Sequence, residues 1–422
     1  MVRSLYYGWI IIAALFVVNF AIQATGMFNL GLFVIPMCND MGISRGQFGW
    51  FATVRLLSGG VAVWLLGRLV DRFGSRTLIP LSAVLTGLFM MGVGASTHVL
   101  YIILLFSLIG FSGLSAGGGG ILTMVPVAKW FVRRRGLALG ISTLGIGVGA
   151  MTFIPVTQFL IDRFGWRMAW VLLAIIMMVL IVPVSAIVIR REPEDMNLLP
   201  YGASEADEAG YSQSNSMDET VWTVSEALRT RAFWFINAAL LLWGMANGGS
   251  VHRMAFWIGL GFDPRLVSFV FTIDAVGFTI MTFVAGVLLD RFPPRFVQAG
   301  AFAGIMGSVL LMVVASQTYH MLFSVILFGL AAGTTIVSQT YLWAHYYGRV
   351  FLGSIRGVTL PFFLAAAAIG APLTGYIFDY TGSYQPAWKL FIGVYFIGFL
   401  CILAAKPPSK KTADSNAPSS EA

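Results

Sequence analysis

Apolar residues run through this chain in long blocks, and short polar clusters punctuate them at regular intervals. A helix crossing a hydrocarbon core of ~30 Å needs roughly 20 mostly apolar residues. Blocks of that length lie near 8–37, 47–67, 77–96, 99–128, 136–160, 168–189, 232–259, 266–289, 297–316, 321–345, 356–378 and 386–405. A soluble domain separates its apolar stretches with polar faces turned to water, and these blocks do not. Glycine is abundant inside them, as suits membrane helices, where small residues let backbones approach. The expected fold is an all-α membrane protein of twelve transmembrane helices.

Composition agrees: 58% of residues are hydrophobic and only 10% charged, with a mean hydropathy of +0.84. The net charge of +8 would by itself raise the question of a polyanionic partner, but position answers it. With the N-terminus placed inside, nineteen of the 26 Lys and Arg fall on the cytoplasmic side, among them Arg68, Arg72, Arg76, Lys129 and Arg133 to Arg135. Five fall outside (Arg45, Arg163, Arg167, Arg265, Lys389), leaving Arg55 and Arg253 within spans. This is the positive-inside bias. It predicts a multi-pass protein of the cytoplasmic (inner) membrane with both termini cytoplasmic, and no nucleic-acid role. Cys38 and Cys401 lie at or in opposite terminal spans and indicate neither a disulfide framework nor a metal site. The first apolar block reads as an uncleaved helix, since it is too long for a signal peptide and has no convincing small-x-small cleavage site.

The one substantial polar stretch, 190–231, holds nine acidic residues and a serine-rich run at Ser212, Ser214 and Ser216. It reads as a solvated linker whose end, Thr223-Val-Ser-Glu226, forms a capping box leading into span seven. The expected organisation is a six-helix bundle over 1–189, a cytoplasmic linker over 190–231, a second bundle over 232–405 and a disordered cytoplasmic tail over 406–422. A repeat relates the two bundles. Gly67-Arg-Leu-Val-Asp71-Arg72-Phe73-Gly74-Ser-Arg76 recurs as Gly286-Val-Leu-Leu-Asp290-Arg291-Phe292-Pro-Pro-Arg295, a shift of 219. Arg135-Gly136 returns as Arg356-Gly357, a shift of 221, and Asp162-x-x-Gly165 as Asp379-x-x-Gly382, a shift of 217. Two parallel halves imply a pseudo-two-fold axis along the membrane normal and alternating access by rocking one half against the other.

The motif between spans two and three resembles the signature loop of the major facilitator superfamily, and the second copy strengthens the likeness, which covers essentially the whole chain. Finer features are similar to the bacterial group related to monocarboxylate and oxalate/formate porters. These are Tyr6-Tyr7-Gly8-Trp9, Trp130-Phe131-x-Arg133-Arg134-Arg135-Gly136, Arg191-Glu-Pro-Glu-Asp195-Met-x-Leu-Leu-Pro200, and His252 in span seven. The resemblance implies a carrier whose spans one, four, seven and ten line a central cavity. The sequence departs from that group at one position. Better-understood members carry in span eight, eight residues before the loop aspartate, an arginine that holds the substrate carboxylate; here Thr282 stands there.

Ionisable groups inside a span are costly and mark pathways. Asp274 in span eight is the only acid placed there by the sequence, and Arg55 in span two is the one base well inside. The 219-residue shift makes these two equivalent points of the two halves. Arg55 is expected to attract an anionic group, and Asp274 to bind a proton or to answer Arg55 electrostatically across the cavity. The structural alternatives are a snorkelling arginine and an interhelical hydrogen bond for Asp274. His252 is a further candidate for the translocation path, while Arg253 reads as an interfacial anchor. Asn19, Gln23 and Asn29 in span one, Asn247 in span seven, and Thr334, Thr335, Ser338 and Gln339 in span ten form a polar second tier, equally readable as interhelical glue. The run Gly117 to Gly120 follows no strand and is no phosphate loop; close helix packing accounts for it. The repeated loops, with Gly67, Asp71, Arg72, Arg76, Gly286, Asp290, Arg291, Arg295, Arg135 and Arg356, are expected to gate. In that reading Gly67 permits a tight turn and Asp71 sits at a helix N-terminus.

No nucleotide motif, cofactor site or clustered catalytic constellation is present in the sequence, so an enzyme is not expected and solute or ion gradients must supply energy. The expectation is a secondary transporter of a small organic anion, a carboxylate, working by proton symport or by exchange against a counter-anion. Efflux of amphipathic compounds is the rival within transport; span five, Gly140-Ile-Ser-Thr-Leu-Gly145-Ile-Gly147, lacks the Gly-Pro pair typical of superfamily exporters. A non-transporting membrane sensor of the same fold is the rival outside it.

Overall fold

The computed structural model describes residues 6–114, 118–131, 133–202, 222–314, 316–348 and 351–408, with backbone alone for residues 27, 71, 118–121 and 135. The middle of the linker, the tail beyond 408, Gly117, the surroundings of Gly118 to Gly120, and the side chains of Asp71 and Arg135 therefore lie outside the described residues. The first span is Tyr7–Ile22 and Met27–Met41 around a 3-10 turn at Gln23–Thr25. Arg45–Phe73 and Ser75–Ala95 are spans two and three, and Val99–Phe111 with Gly118–Trp130 makes span four. Arg135–Val188 is one helical stretch divided at Gly165 into spans five and six. Span seven is Arg231–Gly248, a 3-10 turn at Gly249–His252, and Arg253–Gly259. Spans eight to twelve are Pro264–Arg291, Pro294–Val313, Thr318–Tyr347, Leu352–Thr381 and Gln385–Ala404. Nine stretches among the described residues are long and apolar enough to cross a membrane; separating spans five and six, and rejoining the broken fourth and seventh, yields the twelve expected.

Local chemistry sets the ends. Ser44 accepts from the Gln47 N–H while Gln47 accepts from the Ser44 N–H, a capping box that starts span two. Thr223 and Glu226 form the box expected before span seven. Helices run past their apolar blocks, and this corrects one reading of the repeated motif. Gly67 does not turn the chain: it is helical within Arg45–Phe73, and the turn is made at Gly74, whose φ of 74° favours glycine. In the second half, Pro293 stands at the corresponding turn.

The pairings within the halves repeat. Span one packs on five, two on four, and three on six; in the same way seven packs on eleven, eight on ten, and nine on twelve. The halves meet along two seams that the pseudo-two-fold exchanges, span two against eleven and span five against eight. Spans three, six, nine and twelve lie outside these seams. One end of the bundle carries the described parts of the 190–231 linker and is called the linker face; the other is the far face.

Candidate functional site

At the far face the seams are shut. Asp379, in the last turn of span eleven, accepts from the backbone N–H groups of Arg45 and Gly46 (2.9 and 2.8 Å) at the start of span two. Asp162, at the end of span five, accepts from Arg265 Nε (2.8 Å) at the start of span eight. Each acid belongs to the repeated Asp-x-x-Gly motif, and each is followed by a glycine with positive φ, Gly165 or Gly382, that ends the helix. The repeat thus encodes two latches, each half gripping the other. Trp50 Nε1 donates to Tyr376 Oη (3.1 Å), and the Thr53 hydroxyl to the Ala368 carbonyl. Gly46 and Gly49 press on Tyr376 and Pro372, with no room for a Cβ.

Behind this seal lies a cavity of about 460 Å³ between the halves. Arg55 stands in its wall, only 7% exposed, together with Asn19, Gln23, Thr25, Thr143 and Asn247. Its Nη2 donates weakly to Thr25 Oγ1 (3.4 Å), and no carboxylate pairs with it among the described residues. The arginine does not snorkel. It is held inside by the break in span one, where Asn29 Nδ2 donates to the Gln23 and Ala24 carbonyls (3.0 and 3.2 Å). Asn19 braces span five through the Ser142 carbonyl (2.9 Å) while also facing the cavity.

A second compartment of about 180 Å³ shares Asn247 with the first and is walled by Phe28, Trp243, Met254, Phe271, Phe278 and Phe328. Arg253 opens onto it. This residue corrects the sequence reading: it is no interfacial anchor but 2% exposed, donating through Nη1 to Asp274 Oδ2 at 2.8 Å. Its guanidinium also lies over the rings of Phe328 and Phe271, 3.6 and 4.9 Å from their centroids. Asp274 therefore answers Arg253, not Arg55. Gly329 of span ten lets that helix lie against the Asp274 carbonyl, where a Cβ would collide.

His252 is fully buried but stands behind the cavity wall. Its Nε2 faces the Ala371 carbonyl (3.0 Å) and its Nδ1 the Tyr384 hydroxyl (3.2 Å), so it ties span seven to span eleven. Thr335 is spent on the Ala331 carbonyl of its own helix, and Gln339 is half-buried; span ten contributes Phe328, Ala332 and Ile336 to the second compartment instead. At the linker face Arg72, Arg76, Asp290 and Arg291 are exposed, Arg295 and Arg356 partly so, and none forms an ion pair among the described residues. Arg72 and Arg295 lie over Phe73 and Phe296. Gly286 is helical within span eight.

Three motifs that seemed separate in sequence converge here. Tyr6 Oη donates to the Leu199 carbonyl (2.8 Å), Trp9 packs edge-on to Phe131 and Tyr201, and Lys129 pairs with Glu192 at 2.6 Å. The lysine holds the Glu192 carboxyl below its ordinary range. Tyr201 bridges backbone to backbone with Trp130 and Arg133.

Two six-helix halves around a central cavity, sealed at one face by paired contacts, define a polytopic carrier: a secondary transporter and not an enzyme. The chain belongs to the Major Facilitator Superfamily, whose family profile matches residues 15–260 and 254–421. Monocarboxylate transporter 13 of Bos taurus is 24% identical over 399 residues, 90% of this chain and 85% of that one. The uncharacterized MFS-type transporter YcxA of Bacillus subtilis (strain 168) is 21% identical over 417 residues, 94% of this chain and 95% of that one. Among solved structures, the nucleoside transporter NupG superposes with a TM-score of 0.72 at 13% identity, covering 95% of this chain and 99% of that one.

Proposed function

We propose that this protein carries a small organic monoanion, a carboxylate, across the cytoplasmic membrane by alternating access, through proton symport or anion exchange. One observation carries the reading: Arg55 is a buried cation in the wall of the central cavity, without a carboxylate partner among the described residues. A buried charge left uncompensated is expensive, and an anionic cargo offsets that cost. The names of the sequence relatives support a carboxylate. The excess of Lys and Arg at the linker face supports a cytoplasmic linker and termini, which puts the closed far face on the outside. The rocking bodies are 1–189 and 232–405, the linker loops gate the cytoplasmic side, and His252 braces the wall.

Asp274 is the proton site in this scheme. Arg253 already rests on the Phe271 and Phe328 rings while it pairs with Asp274. When a proton replaces it on the carboxylate, the rings retain part of the guanidinium's stabilisation. In proteoliposomes, Arg55→Gln should abolish uptake and counterflow of labelled carboxylates while the protein stays folded. Asp274→Asn should eliminate pH-driven accumulation yet keep exchange. Wild-type carboxylate uptake by Arg55→Gln would end the anion reading.

A further inference from the structure

The two compartments differ in chemistry, and the difference specifies a cargo. The first, about 460 Å³, sets Arg55 and the side chains of Asn19, Gln23, Thr25 and Thr143 into an otherwise largely apolar wall. The second, about 180 Å³, is walled mainly by the rings of Phe28, Trp243, Phe271, Phe278 and Phe328 with Met254, and has Arg253 at its edge; its volume is close to the ~150 Å³ of an apolar cavity that accepts benzene. They meet at Asn247, beside the break in span seven and against the residues that follow the break in span one, with Gly26 and Leu30 on one side and Phe28 and Gly31 on the other. A single molecule can therefore occupy both.

Charge orients the molecule. While Asp274 is ionised it neutralises Arg253, so in the described state the aromatic compartment presents no uncompensated cation; Arg55 is the one uncompensated charge among the described lining residues. A second carboxylate would be desolvated among Trp243, Phe28 and Phe278 and would have to compete with Asp274 for Arg253, a severe penalty. A short acid such as acetate would satisfy Arg55 but leave the aromatic surfaces uncovered. Resting on the carboxylate reading above, we infer that the preferred cargo is a monocarboxylate bearing a bulky apolar body, an arylalkanoate, with its carboxylate at Arg55 and its ring in the Trp243–Phe328 compartment. Ring faces and edges on several sides suit an aromatic group in stacked or edge-on contact.

The test is a competition series against counterflow by the full-length protein in proteoliposomes, using acetate, propionate, 3-phenylpropionate, succinate and 3-phenylpropanol. Burial of the ring predicts that 3-phenylpropionate competes at least about tenfold more tightly than propionate, with succinate weakest of the acids. Trp243→Ala and, separately, Phe28→Ala should shrink the ratio of phenylpropionate to propionate, so the result does not depend on one variant folding. Propionate or succinate equalling 3-phenylpropionate, with all acids lost in Arg55→Gln, overturns this inference and leaves the carboxylate reading standing. Tight inhibition by 3-phenylpropanol that survives Arg55→Gln overturns both.

Discussion

Arg253 and Asp274 form the one buried ion pair among the described residues, and its energetics are lopsided. Two charges taken out of water gain little over a well-packed apolar pair, but removing one partner strands the other, at about 3–5 kcal/mol. Asp274→Asn and Arg253→Gln should each lower the melting temperature in detergent by several degrees, with the double variant falling by clearly less than the two together. Simple additivity in that cycle would show that the pair is not coupled. The cation–π contacts to Phe328 and Phe271 temper the aspartate variant, so Arg253→Gln, which leaves a bare carboxylate, should be the worse of the two. The sequence singled out Asp274 and Arg55 through the repeat, and both are buried. It could not name Asp274's partner. Arg253 sits near the end of an apolar block, where hydropathy reads an interface, and only the turn at Gly249–His252 and the packing of span eleven carry it inside.

At the scale of elements, the linker clasp joins residues far apart in the chain: Tyr6, Lys129, Phe131, Glu192 and Tyr201. Its acid responds to pH in a definite direction. Glu192 is held below the usual carboxylate range by its hydrogen bond to Lys129. The contact is therefore fully present above the ordinary glutamate value of about 4.3 and is lost as pH falls through the lowered one. Both groups are partly exposed, so it contributes only about 0.5 kcal/mol. Hydrogen exchange at the amides of Tyr201 and Arg133, corrected for intrinsic rate, should accelerate modestly below about pH 4, and Glu192→Gln should remove that dependence. Protection in the wild type that stays flat down to pH 3 would mean the ion pair does not hold the clasp. The motifs were visible in sequence as separate words. Their convergence was not, because ring-to-ring packing and a single backbone bridge leave no periodic trace. Long apolar spans were legible from length alone. The breaks in spans one and seven were not, since the 3-10 turns lie within unbroken apolar blocks.

At the scale of the whole molecule, the far face is closed by two latches that the internal repeat had already placed in register. The sequence marked Asp162 and Asp379 as landmarks without revealing that each reaches across to the opposite half. Asp379 places a carboxylate on first-turn N–H groups of span two that have no partner within the helix, an arrangement contributing about 1 kcal/mol. Asp379→Asn should raise the population open at the far face about fivefold, read as longer spin-label distances between the far ends of spans two and eleven. Asp162→Asn should act in the same direction on spans five and eight. Unchanged distances in both variants would remove the latches from the gating scheme.

The solitary charge of Arg55 also has an electrical consequence. A cavity holding Arg55 beside a neutralised Arg253 carries one net positive charge when empty and none when it holds a monoanion. A proton at Asp274, as proposed above, restores the single charge. Crossing the full membrane field costs or gains about 2.3 kcal/mol per 100 mV for each elementary charge, scaled by the fraction of the field that Arg55 traverses. Exchange of one monoanion for another is then indifferent to membrane voltage, because the loaded protein moves no charge. In proton symport the outward and return legs both carry one charge, so voltage alters their rates oppositely and leaves the final gradient untouched.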